Sequence, residues 1–187
     1  MDPPAAASDA DLPQIQNIVA TVELGCPIAL QDVVQRLRNA EYNPLRFGAL
    51  IVRIAAPKTT ALVFPSGKLV VTGARTVDDS RLAARKYARI LQRLGYPVRF
   101  NHFKIQNIVA SCDMKVAISL EDLIAHDSRR CKYEPEIFPG VVYRLADPKI
   151  VLLVFASGKV VFTGGKDVDQ ITRAFHAIQE TLHNVAR

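Results

Sequence analysis

Cysteine is scarce in this chain: Cys26, Cys112 and Cys131 stand far apart, and none sits in a CxxC spacing. An odd number of isolated cysteines argues against a disulfide framework and against a thiolate metal centre. A reducing compartment, cytosol or nucleus, is the expected home. No apolar run comes near the length of about 18 residues that a membrane-spanning helix needs, so no membrane partner is expected. The N-terminal "MDPPAAASDADLP" has neither the basic region nor the apolar core of a secretory signal. Residues 1–13 are therefore expected to form a short flexible tail.

Catalytic signatures are missing as well. "SGK" occurs twice, but no GxxxxG precedes either copy, and Leu69 and Val160 follow the lysines where a phosphate-binding loop needs Ser or Thr. A tight turn between strands is the better reading of both. His102, His126, His176 and His183 are scattered. No carboxylate pair, Ser–His–Asp or Cys–His grouping gathers in the motif-bearing stretches. The chain is not expected to be an enzyme, nor to hold a metal or another cofactor.

What is present is a globular composition with an excess of positive charge. Apolar residues make up 49% of 187, too many for a disordered chain and enough for one large domain or two small ones. The formal net charge of +6 favours a polyanionic partner.

The chain is also a duplication. "VFPSGKLVVTG" (Val63–Gly73) returns as "VFASGKVVFTG" (Val154–Gly164), 91 positions later. "IQNIVATVELGCPIAL" (Ile15–Leu30) returns as "IQNIVASCDMKVAISL" (Ile105–Leu120) at an offset of 90, and Tyr42–Gly73 matches Tyr133–Gly164 at 91. Two copies are too few for a solenoid and suit a pseudo-twofold protein, with repeats over 14–100 and 101–187 after the tail.

Each copy reads alike. A β-branched run, "IQNIVATVEL", predicts a strand, and a short helix follows near "ALQDVVQRLRNA". Strands are predicted at Phe47–Ile54 and Thr59–Phe64, then a turn at "PSGK" and a strand at Leu69–Thr72. A long helix closes the unit. In copy one it is Val77–Leu94, with Leu82, Ala83, Tyr87, Ile90, Leu91 and Leu94 at helical spacing. In copy two it is Val168–Val185, with Ile171, Ala174, Phe175, Ile178 and Leu182. Antiparallel strands closed by helices indicate an α+β domain with helices on one face of a sheet.

Alternate strand residues share a face. Asn17 with Val19, Leu62 with Phe64, and Val70 with Thr72 are such pairs, and each recurs identically as Asn107 with Val109, Leu153 with Phe155, and Val161 with Thr163. Their neighbours Ile18, Val63 and Val71 are apolar too, so the strands are apolar on both sides while helices cover one. An uncovered apolar sheet marks a binding surface. Burial by a second copy, or by packing one repeat on the other, is the other reading that the pattern allows.

In a symmetric antiparallel hairpin, pairing Phe47 with Phe64 centres the turn on Ala55 and Ala56, just before Pro57. Pairing Phe138 with Phe155 centres it on Ala146 and Asp147, just before Pro148. Each copy is thus expected to set two phenylalanines side by side, as a core pair or as an exposed one. Arg46, Arg53, Lys58 and Lys68 surround the first hairpin, and Arg144, Lys149 and Lys159 the second. An apolar aromatic centre with Asn and Thr handles and a basic rim suits the minor groove of DNA. There A·T pairs expose only acceptors, whereas G·C adds an amino group.

At these residues the sequence resembles the TATA-box-binding protein family, which is itself the standard case of minor-groove wedging. The likeness is carried by "IQNIVATV", "RNAEYNPLRF", "TTALVFPSGK", "VTGA", "SRLAARKYARILQRLG", "FKIQNIVASCD", "YEPEIFPG" and "KIVLLVFASGKVVFTG", which together span nearly everything from Gln14 onward. The resemblance implies a pseudo-twofold saddle of two repeats, a curved antiparallel ten-stranded sheet on DNA with helices on its convex face. It implies that Phe138 with Phe155, and Phe64 with Phe47, are wedges at the two ends of a bound site. Asn17, Asn107, Thr72 and Thr163 are then polar groove contacts. Val19, Val70, Val109 and Val161 are apolar ones, and Leu62 and Leu153 support the wedges. The surrounding Lys and Arg hold phosphates.

The resemblance further implies a nuclear general transcription factor, bound to DNA as a monomer, that nucleates a pre-initiation complex. Glu134, Glu136 and Ile137 would meet transcription factor IIB, and the stretch from Arg38 to Arg46 would lie near transcription factor IIA. Arg85 and Lys86, on a closing helix basic enough to look eukaryotic, would face regulators and TBP-associated factors. Self-association of the free protein through its open face stays an alternative, as does a module whose sheet binds protein and has lost DNA affinity. Gly48 and Leu50 depart from the family's usual Ala and Val, which is expected to loosen packing beside Phe47. "AHDSRRCK" before Tyr133 is unusually basic.

Overall fold

A computed structural model describes residues 12–187; of the tail expected over 1–13, only Leu12 and Pro13 fall within them. The first copy runs β1 (Gln14–Glu23), α1 (Leu30–Arg36), β2 (Ala40–Glu41), β3 (Leu50–Ala55), β4 (Lys58–Val63), β5 (Lys68–Ala74) and α2 (Val77–Arg93). The second repeats that order as β6 (Asn101–Asp113), α3 (Leu120–His126), β7 (Cys131–Lys132), β8 (Val141–Arg144), β9 (Val151–Val154), β10 (Lys159–Gly165) and α4 (Val168–Asn184). The strands form one ten-stranded sheet in the order β2-β3-β4-β5-β1-β6-β10-β9-β8-β7. The fold is α+β with two repeats. Its two compact units are Gln16–Asn107 and one centred on Ile108–Arg187.

Period-two alternation decides what is buried. In the first unit Ile18, Ala20 and Val22 of β1, Ala61 and Val63 of β4, and Leu69 and Val71 of β5 are each at most 1% exposed. Val22, Ala61, Val63, Leu69 and Val71 share one core cluster with Ala83, Ala84, Tyr87 and Leu91 of α2. Thr76 caps that helix, its side chain accepting the Asp79 N–H at 3.0 Å, with Asp78 and Asp79 in the first turn. Leu82 does not join the core: it is 47% exposed. The buried stripe is completed by Ala84 and Ala88, small residues that let the helix approach the sheet and turn Leu82 outward. In α4 the predicted stripe of Ile171, Ala174, Phe175, Ile178 and Leu182 is buried throughout.

Both "SGK" segments are turns. Phe64 N–H donates to Lys68 O at 2.9 Å, Gly67 N–H to Phe64 O at 3.0 Å, and Leu24 N–H to Gly67 O at 2.8 Å. Gly67 has φ +89, and a β-carbon there would lie 2.1 Å from Cys26 O. Gly158 repeats this with φ +92 and Val116 O at 2.1 Å. The glycine is demanded by backbone conformation and by a neighbouring segment of the same chain.

Beneath similar surfaces the two cores differ. Val71, Ala84, Tyr87 and Thr59 of copy one correspond to Phe162, Phe175, Ile178 and Ile150 of copy two, and all eight are buried. Tyr87 Oη donates to Thr59 O at 2.8 Å and lies 3.0 Å from Thr59 Oγ1. Copy two has no hydroxyls at these positions; Phe162 and Phe175 meet edge-on there, centroids 6.4 Å apart. Three of the four positions carry a larger side chain in copy two and one a smaller, so the two interiors are filled by different sets of residues.

Burial raises the Tyr87 phenol above its ordinary value of 10.0, although the Thr59 hydrogen bond works in the opposite direction. In the unfolded chain that phenol releases its proton first. The folded state then binds more protons, and stability falls as pH rises above about 10. The Tyr87→Phe variant is expected to lose about 1 kcal/mol at neutral pH, or roughly 2–4 °C in Tm, and part of this alkaline decline. Thermal melts between neutral pH and about pH 11 provide the check; an alkaline slope identical in both proteins contradicts it.

Candidate nucleic-acid interface

The phenylalanine pairs form, but not through the predicted ladder. Ala55 pairs with Lys58 and Leu50 with Val63, so the first hairpin turns at Ala56–Pro57. In the second, Val141 pairs with Val154 and Arg144 with Val151. Extending these registers sets Phe64 opposite Ala49 and Phe155 opposite Gly140. Phe47 and Phe138 lie before their strands, in turns where Asn43 O accepts the N–H groups of Arg46 and Phe47, and Glu134 O those of Ile137 and Phe138. β3 therefore begins at Leu50 rather than at Phe47. The turns around Pro44 and Pro135 swing each ring back over its partner.

The Phe47–Phe64 centroids are 6.3 Å apart at 70°, and the Phe138–Phe155 centroids 5.6 Å apart at 66°, both edge-to-face. Phe47 is 46% exposed, and the other three rings are half-buried. A β-carbon on Gly140 would lie 3.0 Å from the Phe138 ring and 3.1 Å from the Phe155 ring. In copy one that position is Ala49, and the rings stand further apart. Gly48 has open space around it, so it leaves no packing defect beside Phe47.

Behind the rings, the uncovered face is built in rows. Ile51, Leu62, Val70 and Thr21 are successive cross-strand partners, and Arg53, Thr60 and Thr72 form the next row. In copy two the rows are Val142, Leu153, Val161 and Ser111, then Arg144, Val151 and Thr163. Asn17, Val19, Asn107 and Val109 lie on the same alternation, half-buried, opposite to Ile18, Ala20, Ile108 and Ala110 of the core. Comparison of the copies for identical residues passes over Thr21 with Ser111, Ile51 with Val142, and Thr60 with Val151. Counting two residues along each strand from the identical positions recovers all six.

Asn17 is held from the side. Its Oδ1 accepts the Gly73 N–H at 2.7 Å and the Thr72 hydroxyl at 3.1 Å. The bond to Gly73 depends on a bulge: Ile18 pairs with Ala74 but Ala20 with Val71, so β5 carries one residue more than β1. Gly73 sits there at φ +104. In copy two the register slips in the same way between Phe162 and Gly165, and Gly164 has φ +99.

The basic residues lie around this face. Arg46, Arg53, Lys58, Lys68, Arg144, Lys149 and Lys159 are all exposed. Arg53 Nη1 is 2.8 Å from Glu41 Oε1, an exposed pair of little energetic weight. Arg53, Lys58, Thr60, Thr72, Gly73 and Arg75 line one open groove. Arg75 and its counterpart Lys166 are further exposed cations that the hairpin-centred reading omits. A basic residue at the same place in both repeats is the signal that identifies them.

Elsewhere, Ile137 is 80% exposed, beside exposed Glu134 and Glu136, with Glu134 Oε1 3.2 Å from Lys132 Nζ. On α2, Arg85 lies over the Phe100 ring at 5.6 Å, and Lys86 Nζ donates to Ala56 O. Lys86 thus ties the helix to the first hairpin turn. Burial pushes the thiols of Cys112 and Cys131 up to about 11, which leaves them protonated and unreactive near neutral pH. Among the described residues no group of three His, Cys, Asp or Glu side chains gathers for a metal, and no helix is long and apolar enough to cross a membrane.

The family described as "Transcription factor TFIID (or TATA-binding protein, TBP)" matches the chain twice, over residues 12–94 and 102–185. The chain is 73% identical over 183 residues to "TATA-box-binding protein-like 1" of Entamoeba histolytica, covering 98% of this chain and 85% of that protein. It is 57% identical to the TATA-box-binding protein of Acetabularia peniculus (91% and 90% covered) and 56% identical to that of Saccharomyces cerevisiae (95% and 74%). Among solved structures, Methanococcus jannaschii TBP superposes with a TM-score of 0.81 at 42% identity, covering 93% of this chain and 99% of that one.

The small residue beneath each aromatic pair is expected to set the ring spacing. Gly140→Ala should move the Phe138–Phe155 centroids from 5.6 Å toward the 6.3 Å of the other pair and cost about 1–3 kcal/mol through overpacking. Ring-current shifts of the Phe138 protons, with a thermal melt, measure both. Unchanged shifts would show that the spacing is set elsewhere.

Proposed function

The chain belongs to the TATA-binding protein family, and from that premise we infer that it is a general transcription factor whose open sheet face binds TATA-box DNA through the minor groove. The observation that carries this reading is the face itself. In each unit the helices cover one side of the strands, and the other side carries Val, Leu, Asn and Thr in rows that end at an edge-to-face phenylalanine pair. The rim is basic.

The groove of an A·T tract offers acceptors and a narrow apolar floor. Asn17, Asn107 and Thr163 donate to those acceptors, and Thr72 does so by exchanging its bond to Asn17 Oδ1 for one to the groove. Val19, Val70, Val109 and Val161 fill the floor and leave no partner for a guanine amino group. Phe138 with Phe155, and Phe47 with Phe64, wedge into base steps, each backed by Leu153 or Leu62. Each unstacked step costs on the order of a few kcal/mol, offset by the area that the bent duplex lays against the sheet. Steps that deform cheaply bind best, so sequence is selected partly through shape. Arg46, Arg53, Lys58, Lys68, Arg144, Lys149 and Lys159 neutralise phosphates, and affinity falls with salt.

Bound as a monomer in the nucleus, the protein nucleates the pre-initiation complex. Glu134, Glu136 and Ile137 meet transcription factor IIB, the stretch from Arg38 to Arg46 approaches transcription factor IIA, and Arg85 with Lys86 serves TBP-associated factors and regulators.

Binding to a TATA duplex beside a G·C-substituted duplex tests the reading, with a preference of at least tenfold expected, since each mismatched pair costs roughly 1–3 kcal/mol. Equal affinity overturns it. In the Phe138→Ala, Phe155→Ala double variant, energy transfer between duplex ends should report a much smaller bend; an unaltered bend makes these residues packing elements only.

A further inference from the structure

The hydrogen bonds around Asn17 fix more than its position. Amide oxygen and nitrogen are interchangeable in most settings, but a backbone N–H can only donate. The Gly73 N–H at 2.7 Å therefore requires an oxygen opposite it, and the Thr72 hydroxyl at 3.1 Å shares that oxygen. The Asn17 NH₂ is thereby turned away from β5, as the donor end of a side chain on the open face.

This lock depends on Gly73. In a regular ladder its N–H would lie in the sheet plane and bond a backbone carbonyl. The extra residue in β5 opposite Val19 rotates it out of that plane, at φ +104. An L-residue rarely adopts that angle, and a β-carbon there would press on Lys58 O and Thr59 Cα at 3.4 Å.

We propose that Gly73 is a specificity-determining residue that acts by positioning: its bulge holds the Asn17 carboxamide with the donor end toward the minor groove. This rests on the reading of the face as a groove reader. A locked donor hydrogen-bonds to the acceptor N3 and O2 atoms of A·T pairs and opposes the amino group of guanine, donor against donor. A carboxamide free to flip would present its oxygen to that amino group and welcome it. The bulge thus turns an ambivalent side chain into one that rejects a minor-groove amine. Gly164 occupies the same bulge in copy two at φ +99.

The test isolates the amine. Replacing one adenine at a time with 2,6-diaminopurine adds only the minor-groove NH₂ to an otherwise unchanged TATA duplex. The wild-type protein should lose roughly tenfold or more in affinity at the position facing Asn17. In Gly73→Ala that loss should shrink to less than about threefold there, with the penalties at other positions retained. Asn17→Asp keeps the shape and both inward bonds but turns the outward atom into an acceptor. It should bind every duplex more weakly yet favour the diaminopurine duplex at that one position. If Gly73→Ala does not fold, by circular dichroism, this variant decides alone. A penalty that persists in either folded variant overturns the proposal.

The lock can also be read without DNA. In the free protein, Asn17→Ala should speed Gly73 amide exchange at least tenfold; an unchanged rate overturns the lock. A wild-type protein indifferent to A·T and G·C would instead refute the groove reading, and the exchange rate would then decide the lock independently.

Discussion

A β-strand turns successive side chains to opposite faces, and one layer of helices can cover only one of them. In this chain nearly every strand position is apolar or uncharged on both faces. Val63 and Val71 go under α2 and Ile18 is buried with them on the inward side, while the neighbouring Val19, Leu62 and Val70 face outward. The phenylalanine pairs, the Asn and Thr side chains and the exposed basic residues are all arranged with respect to that uncovered side. Had those outward positions been Lys and Glu, the same backbone would be an ordinary two-layer domain with nothing to offer a ligand but charge.

Much of the fold could be read from the residues because two independent copies carry it. A strand seen once in β-branched residues is ambiguous; the same strand seen twice, with the same turn after it, is not. The long helices emerged from their spacing to within a residue, Val77–Arg93 and Val168–Asn184. Errors arose where local pattern competes with packing. Leu82 fits a helical stripe drawn through large residues, but Ala84 and Ala88 permit closer contact and so define the inward side. Phe47 looks like a strand residue because it is aromatic, yet the turn from Asn43 removes it from the ladder.

The outward face was legible in its identities and less so in its geometry. Positions unchanged between the copies pointed to Asn17, Thr72 and the phenylalanines, but similar pairs such as Thr21 with Ser111 carry the same face and were passed over. The bulge at Gly73 could not be read at all. One extra residue in a strand leaves no periodic mark, and "VTGA" is as compatible with a regular strand end as with a slipped one. Register depends on both strands together, so it becomes visible only when Ile18 is seen to pair with Ala74 and Ala20 with Val71.

The different core residues of the two copies also bear on how the chain finds its fold. Strands β4 and β9 share their apolar pattern, as do β5 and β10, and each could pair with the wrong half during folding. Backbone hydrogen bonds would not object. The interior would: α4 brings Phe175 where copy one has Ala84, and Ile178 where it has Tyr87. Laid on the first sheet, α4 would set Phe175 into a space shaped for a methyl group and leave Thr59 without the phenol it meets in its own unit. The two halves present similar faces outward and incompatible ones inward. That difference gives a duplicated chain a means of telling its left hand from its right.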